Sequence, residues 1–326
     1  MKSKGSASRY TFTLVILCIL MLSIFFPQPG LFAKEIGMSP VLTFLAMFVS
    51  GLSLSFENVR SSMKEYKTIL FSSVVTFVIF PILAFTFTRL LFPGNEDLFI
   101  GTMILSTQAS TISSAIVLTM AAGGNVPLAI VITVLNNFLS VFISPIILNG
   151  VFLMGNRISF NTIEMIRNLI MVVVMPIIIA QIIKHVLKTK IKYLNKLRKP
   201  VANLVVIMFV MIGASTAAPQ LSGNYSIVLL VVLFALILHL AVVLIGYLYA
   251  KVMRLKKEDV PALVFCSAEK TMTSSILIWN NHFASYTLAP ILFVFNHIVQ
   301  IFLDSILANL WANAVDNEAA VPLQQG

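Results

Sequence analysis

The sequence predicts an all-α membrane protein that crosses the bilayer ten times. Hydrophobic residues make up 59% of the 326 residues and charged residues only 10%, whereas soluble proteins average about 25% charged residues. Ten apolar segments approach the roughly 20 residues that a helix needs to cross a bilayer. Basic residues are concentrated in alternate connections between these segments, which is typical of multi-pass membrane proteins.

Polar or turn-forming connections separate the ten predicted spans. Clear examples are "PQPG" (27–30), "GGNVP" (123–127) and the basic run "KHVLKTKIKYLNKLRKP" (184–200). The spans are Tyr10–Phe26, Ser39–Leu54, Ile69–Phe92, Leu98–Ala122, Val126–Leu153, Ile163–Ile183, Val201–Ala218, Tyr225–Val252, Val260–Trp279 and Leu288–Leu310.

The distribution of Lys and Arg predicts the orientation of the chain. With the N-terminus in the cytoplasm, 17 basic residues fall on the inside and 4 on the outside, and Lys270 lies within a span. Both termini are therefore expected in the cytoplasm, in the cytoplasmic (inner) membrane of a cell. The net charge of +10 is attributed to loops that face lipid headgroups, so we expect lipid and not nucleic acid as a partner. The two cysteines predict neither a disulfide framework nor a metal cluster.

The ten spans divide into two halves of five, residues 1–156 and 157–311, followed by a short polar cytoplasmic tail, 312–326. An odd number of spans in each half places the halves in opposite orientations, as in many secondary transporters. With an offset of 160, "STQASTISSAI" (106–116) aligns with "CSAEKTMTSSI" (266–276). Each of these hydroxyl-rich stretches lies in the fourth span of its half.

The two hydroxyl-rich stretches predict broken helices that meet near the membrane midplane. Irregular backbone at membrane depth persists only where protein or a water-filled cavity satisfies its polar groups. The second stretch also holds Glu269 and Lys270, and charges inside a span are costly and usually functional. Three roles are open to Lys270: a fixed cation between crossed helices, a titrating group, or an attraction for an anionic substrate.

Other polar residues within the spans are candidate partners for this charged pair. His239 is interpreted as a packing residue, and Asp304 as a residue that reaches the interface. Together with Glu269 and Lys270, the predicted substrate- and ion-binding residues are Thr76, Ser113, Ser114, Thr133, Asn136, Asn137, Thr271, Asn296, His297 and Gln300.

Several motifs resemble one family of transporters. They are "GLSL" (51–54), "SSAIVLT" followed by "AAGGN" (113–125), "FC" and "KT" within "FCSAEKT" (265–271), and His297-x-x-Gln300. Over essentially the whole ten-span region the chain resembles the bile acid:sodium symporter superfamily, in the branch related to solute carrier family ten, member seven, and its bacterial relatives. The resemblance implies a panel of spans 1, 2, 6 and 7 and a core of spans 3–5 and 8–10, with discontinuous spans 4 and 9 crossing.

The resemblance also implies organic anions as substrates, often moved with sodium. It implies sodium ligands from span four near Ser113 and Ser114, from span five at Thr133, and from span nine. In span nine, Lys270 and Thr271 stand where the family has a Gln-Asn pair, and the family's Glu falls at Cys266, with Glu269 nearby. The expected metal site, for sodium, is therefore Ser114, Thr133 and Glu269.

The presence of Lys270 in this region leads to a hypothesis about how transport is coupled to an ion. An ammonium group carries the charge of a sodium ion and donates to the same oxygens, so we expect Lys270 to replace at least one sodium. The predicted function is a secondary transporter of a small organic anion that is sodium-independent or proton-coupled. The candidate coupling ions are Na⁺ and H⁺, and no other cofactor is expected.

Other functions remain as alternatives to this one. A cation/proton antiporter would have the same architecture. An intramembrane enzyme is disfavoured, because the spans contain neither an H-E-x-x-H zinc pair nor paired aspartates. A sensor is disfavoured because the sequence has no long soluble domain. The oligomeric state is left open.

Overall fold

A computed structural model shows a protein built from helices. It describes residues 15–16, 18–52, 62–154, 160–187, 191–221 and 225–320, and every regular element in these ranges is helical. For some of these residues, including Ser113, only the backbone is described. After a helical stretch at 18–25, the helices are α1 Gln28–Glu35, α2 Met38–Gly51, α3 Tyr66–Leu91, α4 Glu96–Ser106, α5 Ile112–Ala121, α6 Val126–Met154, α7 Thr162–Leu187, α8 Ile191–Leu221, α9 Tyr225–Val252, α10 Asp259–Ala268, α11 Met272–His282 and α12 Ala289–Ala320.

Among the described residues, six helices are long and apolar enough to cross a membrane: α3, α6, α7, α8, α9 and α12. They correspond to predicted spans three, five, six, seven, eight and ten. Helices α1 and α2 meet at 84° and give a seventh crossing if they count as one span. Predicted spans four and nine fall on α4–α5 and α10–α11, where each segment is broken into two short helices. Predicted span one is described at residues 15–16 and 18–26, where 18–25 is helical, and its other residues lie outside the described part of the chain.

Two segments predicted as connections are helical instead. At "PQPG", α1 begins at Gln28, with Pro29 in its first turn, because the first N–H groups of a helix have no partner within the helix and proline is tolerated there. Across the basic run, α7 continues to Leu187 and α8 begins at Ile191, because Lys, Arg and Leu all favour helix. Helix α12 likewise continues to Ala320, through most of the predicted tail.

Two long helices contain a π turn that ends two residues before a proline. In α3 the turn covers Val75–Ile79 and precedes Pro81, and in α7 it covers Ile170–Val174 and precedes Pro176. Proline has no N–H and its ring collides with the carbonyl four residues earlier, so a local change of hydrogen-bond register accommodates it. In α3 this change frees a carbonyl at the functional site.

The two broken segments lie at the centre of the fold. Every residue of Leu98–Ser106 in α4 is buried, and so is every residue of Met272–Trp279 in α11. A helix buried on all sides is surrounded by other helices, unlike one with a single apolar stripe. Polar groups in these segments therefore need partners inside the protein.

Candidate functional site

The break between α4 and α5 leaves a run of main-chain carbonyls without partners in their own helices. The carbonyls of residues 107–110 instead accept hydrogen bonds from α6 and from the break between α10 and α11. The donors, in order along the break, are Ser144 Oγ at 2.6 Å, Lys270 Nζ at 2.7 Å, the Thr271 N–H at 2.9 Å and Asn137 Nδ2 at 2.9 Å. The two breaks therefore contact each other directly.

The ammonium group of Lys270 lies at this contact. The side chain is fully buried, and Nζ donates to the carbonyl oxygens of Gln108 at 2.7 Å and Thr76 at 2.9 Å. The centroid of the Phe80 ring is 4.2 Å from Nζ. Carbonyl oxygens and aromatic faces both stabilise cations. No carboxylate among the described residues forms an ion pair with Lys270.

The Thr76 carbonyl is free to accept from Lys270 because of the π turn in α3. In a regular α-helix the Phe80 N–H would bond to the Thr76 carbonyl, but here it bonds to Val75. The next residue, Pro81, has no N–H to offer. Thr76 is thus left with a buried carbonyl that lacks a main-chain donor, and the Lys270 ammonium supplies one.

Gln300 on α12 holds the backbone of the second break in place. Its Oε1 accepts from the Lys270 N–H at 2.9 Å, and its Nε2 donates to the Lys270 carbonyl at 3.0 Å. Asn296, one turn earlier, donates to the same Oε1 at 3.0 Å, and His297 Nδ1 lies 3.3 Å from Gln300 Nε2. One amide therefore satisfies both main-chain groups of Lys270 and fixes the origin of its side chain.

Glu269 points away from Lys270, towards the start of α5. Its Oε2 accepts a hydrogen bond from Ser114 Oγ at 2.5 Å, and Ser114 lies in the first turn of α5. A helix N-terminus carries partial positive charge, so it stabilises a carboxylate. The other oxygen, Oε1, is buried and has no hydrogen-bond partner among the described residues. The adjacent residues therefore do not pair, although an unwound segment would allow it.

This arrangement holds one positive charge among backbone oxygens and one acidic group with a free oxygen beside it. Such a site is suited to binding ions or protons, since the surrounding helices exclude bulk water. A comparison with known proteins agrees with this chemistry. The description of the family model that matches residues 10–313 is "SBF-like CPA transporter family". The chain belongs to this family.

Curated relatives carry transporter names. Sodium/bile acid cotransporter 7 of Xenopus tropicalis is 30% identical over 291 residues, which cover 85% of this chain and 83% of the relative. The probable chloroplastic sodium/metabolite cotransporter BASS4 of Arabidopsis thaliana is 25% identical over 302 residues, 87% of this chain and 68% of the relative. An uncharacterised protein of Pseudomonas aeruginosa is 26% identical over 327 residues, 95% of each chain. This protein is therefore a multi-pass membrane transporter of the bile acid symporter family, and not an enzyme.

Three predicted residues of this transporter lie on α6 and have different partners. Thr133 donates to carbonyls of its own helix, Ala129 at 2.8 Å and Ile130 at 3.0 Å. Asn136 joins α6 to α3 through Ser73, whose hydroxyl donates to its Oδ1 at 2.7 Å, with a longer contact to Thr76 Oγ1. Asn137 holds the first break, as described above. The structure thus brings Ser114 and Glu269 together, while the Thr133 hydroxyl bonds within α6, so the three-residue sodium site stays a prediction.

The remaining predicted residues lie close to the second break or outside the described side chains. The Thr271 hydroxyl is 2.8 Å from that of Thr273. His297 Nε2 is buried without a hydrogen-bond partner among the described residues. The side chain of Ser113 lies outside the described residues.

The sequence interpretation of Asp304 was wrong. Asp304 does not reach the interface but is fully buried, and His239 Nε2 on α9 lies 2.8 Å from its Oδ1. The signal was available in α12, where Asn296, Gln300 and Asp304 follow one another at four-residue intervals and share one helical face. The second carboxylate oxygen of Asp304 has no partner among the described residues.

Proposed function

We propose that this transporter moves a small organic anion across the membrane by alternating access, with the Lys270 ammonium in the place of a coupling cation. The observation that carries the proposal is the position of Nζ between two main-chain carbonyls, Gln108 and Thr76, in a fully buried crossing of two broken helices. Carbonyl oxygens released by helix breaks are the groups that bind coupling ions in many transporters. A tethered ammonium occupies such a position permanently.

The proposed architecture is ten spans in two inverted repeats, residues 1–156 and 157–311, with spans 4 and 9 crossing. Helices α5 and α11 begin at Ile112 and Met272, 160 residues apart, at the offset that aligns the two hydroxyl-rich stretches. Thr111 and Thr271 precede them with similar extended conformations, φ −71° and ψ 115° against φ −80° and ψ 122°. Both features support a repeat.

The proposed division into panel and core is supported by the packing of the helices. Helix α2 packs against α7 and α8, which correspond to predicted spans six and seven. Helix α10 packs against α5, α6 and α9, which belong to the proposed core. Alternating access would then move the panel against the core around the crossing.

The substrate class comes from the relatives. Their names specify sodium/bile acid and sodium/metabolite cotransport, and we propose an organic anion as the substrate of this chain. We do not propose that transport depends on sodium, because Lys270 already supplies a positive charge at the crossing. Transport is therefore proposed to be sodium-independent or proton-coupled, in the cytoplasmic membrane with both termini inside.

A cation/proton antiporter is the second candidate, and a specific observation favours it. Glu269 Oε1 and Asp304 Oδ2 are buried acidic oxygens without hydrogen-bond partners among the described residues. Acids of this kind can carry protons or bind cations within a membrane. This candidate requires cation-driven proton movement with no organic substrate.

Transport in proteoliposomes tests the proposal. Purified protein is reconstituted, and counterflow of labelled carboxylates and sulfated sterols is measured in sodium, potassium and choline salts, with and without a pH gradient. We expect counterflow of at least one anion that does not change when sodium is removed. Cation-driven proton flux without counterflow of any anion would favour the antiporter.

The Lys270→Gln variant separates the role of the ammonium from that of the fold. We expect it either to lose transport or to become stimulated by sodium, because the carbonyls would then be free for an ion. Lys67→Gln, which removes an exposed charge from α3, is the matched control. If Lys270→Gln keeps full transport and gains no sodium response, Lys270 does not replace a cation.

A further inference from the structure

A basic cavity lies away from the crossing, where α5, α9, α10 and α12 converge. Its volume is about 560 Å³, and Lys251, Arg254 and Lys257 line it together with one acid, Glu258. The neighbouring acid Asp259 is buried and accepts from Asn125 Nδ2 at 2.8 Å, so it is not a lining group. The described lining therefore has two more positive than negative charges, which favours an anion.

Most residues that line the cavity are apolar, and α9 carries exposed leucines next to it. Leu244 and Leu248 on α9 are 55% and 48% exposed, and with Leu240 they form a stripe at four-residue intervals that runs towards Lys251. Tyr247 and Trp311 also line the cavity. Tyr and Trp are enriched at the level of lipid headgroups, where an apolar ring and a polar tip are both accommodated.

The backbone of Arg254 gives an independent reason to look for a ligand. Arg254 follows the end of α9 with φ 50°, and it is the only non-glycine residue in the described chain with a positive φ. The Leu255 N–H closes the helix end on the Ala250 carbonyl at 2.9 Å. Glycine is the usual residue at this capping position, because a Cβ is unfavourable in the left-handed conformation. The turn alone does not favour an arginine at this position, and its side chain lines the cavity.

We propose that this cavity binds the headgroup of an anionic phospholipid, with Arg254 and Lys251 holding the phosphate and the acyl chains lying along the exposed stripe of α9. Basic pockets between membrane helices recognise such headgroups, and the stripe supplies an apolar surface that a free anion would not need. The cavity involves neither Glu269 nor Lys270. The proposal therefore does not depend on which substrate is transported.

Lipid binding by the full-length protein in neutral detergent tests this directly. Native mass spectrometry and thermal stability are measured with phosphatidylglycerol, with phosphatidylcholine of the same acyl chains, and with inorganic phosphate alone. We expect phosphatidylglycerol to bind and to raise the melting temperature, and the other two to have little effect. Equal binding of the two lipids, or an equal effect of inorganic phosphate, would overturn the proposal.

The Arg254→Gly variant gives the sharpest comparison. Because glycine relieves the backbone conformation, we expect the melting temperature without lipid to stay the same or rise, while phosphatidylglycerol binds roughly five-fold more weakly. Lys251→Gln should weaken binding similarly, and Lys67→Gln, outside the cavity, should not. Wild-type affinity in both Arg254→Gly and Lys251→Gln would show that these side chains do not hold the lipid.

Discussion

The two helix breaks differ in how their polar groups are satisfied. The first, residues 107–111, contains no ionisable residue and presents four carbonyls to donors from elsewhere. The second, residues 269–271, contains both charges, and one amide, Gln300, holds the backbone of Lys270. The first break is thus an acceptor for positive charge and the second break supplies it. Related hydroxyl-rich sequences therefore have complementary roles.

The helix termini explain where each charge of the second break lies. Helix α4 ends at Ser106 with its carbonyls directed at the break, and the C-terminal end of a helix carries partial negative charge. Lys270 meets that end through Gln108. Glu269 lies at the N-terminal end of α5, where it accepts a hydrogen bond from Ser114 in the first turn of that helix. The charges separate because each finds a helix dipole of opposite sign.

Removal of the Lys270 ammonium should have the largest effect. Lys270→Met leaves the buried carbonyls of Thr76 and Gln108 without a donor, which we expect to lower stability by about 3 kcal/mol or more. Thermal unfolding in detergent measures this loss. If the Thr76 and Gln108 carbonyls can bind a free cation, added methylammonium should restore part of the stability that the Lys270→Ala variant loses.

The control for this prediction is a lysine outside the contact between the two breaks. Lys67→Met removes an exposed ammonium from α3, and we expect a change within about 0.5 kcal/mol. Equal melting temperatures for Lys270→Met and Lys67→Met would contradict the assignment of Lys270 as the donor that satisfies the first break.

The Gln300→Met variant should have the next largest effect. It removes both hydrogen bonds to the backbone of Lys270, and we expect a loss of about 2 kcal/mol because two buried main-chain groups lose their partner. Gln181→Met is the matched control, since Gln181 makes an interhelical bond, to the Gly51 carbonyl, away from the two breaks. A loss in Gln300→Met no greater than in Gln181→Met would mean that another group holds the second break.

A smaller effect is expected where the first break has a neutral donor. Ser144→Ala removes the hydrogen bond to the Thr107 carbonyl and should cost about 1 kcal/mol. Ser140→Ala, one turn earlier on α6, removes only a bond to the carbonyl of Asn137 in its own helix. We expect it to be nearly neutral in the same thermal unfolding measurement. A similar loss in both variants would show that the break is not held through Ser144.

Much of this arrangement could be predicted from the sequence, but the pairings could not. Hydroxyl-rich composition predicts both breaks, and the cost of a buried charge identifies Glu269 and Lys270 as the centre. Which carbonyl meets Lys270 depends on a π turn forced by Pro81 and on the approach of α3 to the break, which no local pattern specifies. The pairing of His239 with Asp304 joins residues 65 positions apart and depends on how α9 and α12 pack.

The smallest effect is expected for a lysine that forms a solvent-exposed ion pair. Lys256 Nζ lies 3.2 Å from Glu65 Oε1, and the two side chains are 66% and 30% exposed. The hydrogen bond with Glu65 raises the pKa of Lys256 above its usual value. Its contribution to stability is therefore fully present below the unfolded pKa, about 10.4, and is lost as pH rises through the folded pKa.

Consequently Lys256→Gln should melt within error of the parent protein at neutral pH, because solvent and salt screen an exposed pair. The difference between variant and parent should also stay constant up to about pH 9. Thermal unfolding at low and high salt checks both statements. A loss comparable to that of Lys270→Met would mean that ion pairing at the surface, and not the satisfaction of buried carbonyls at the two breaks, stabilises this fold.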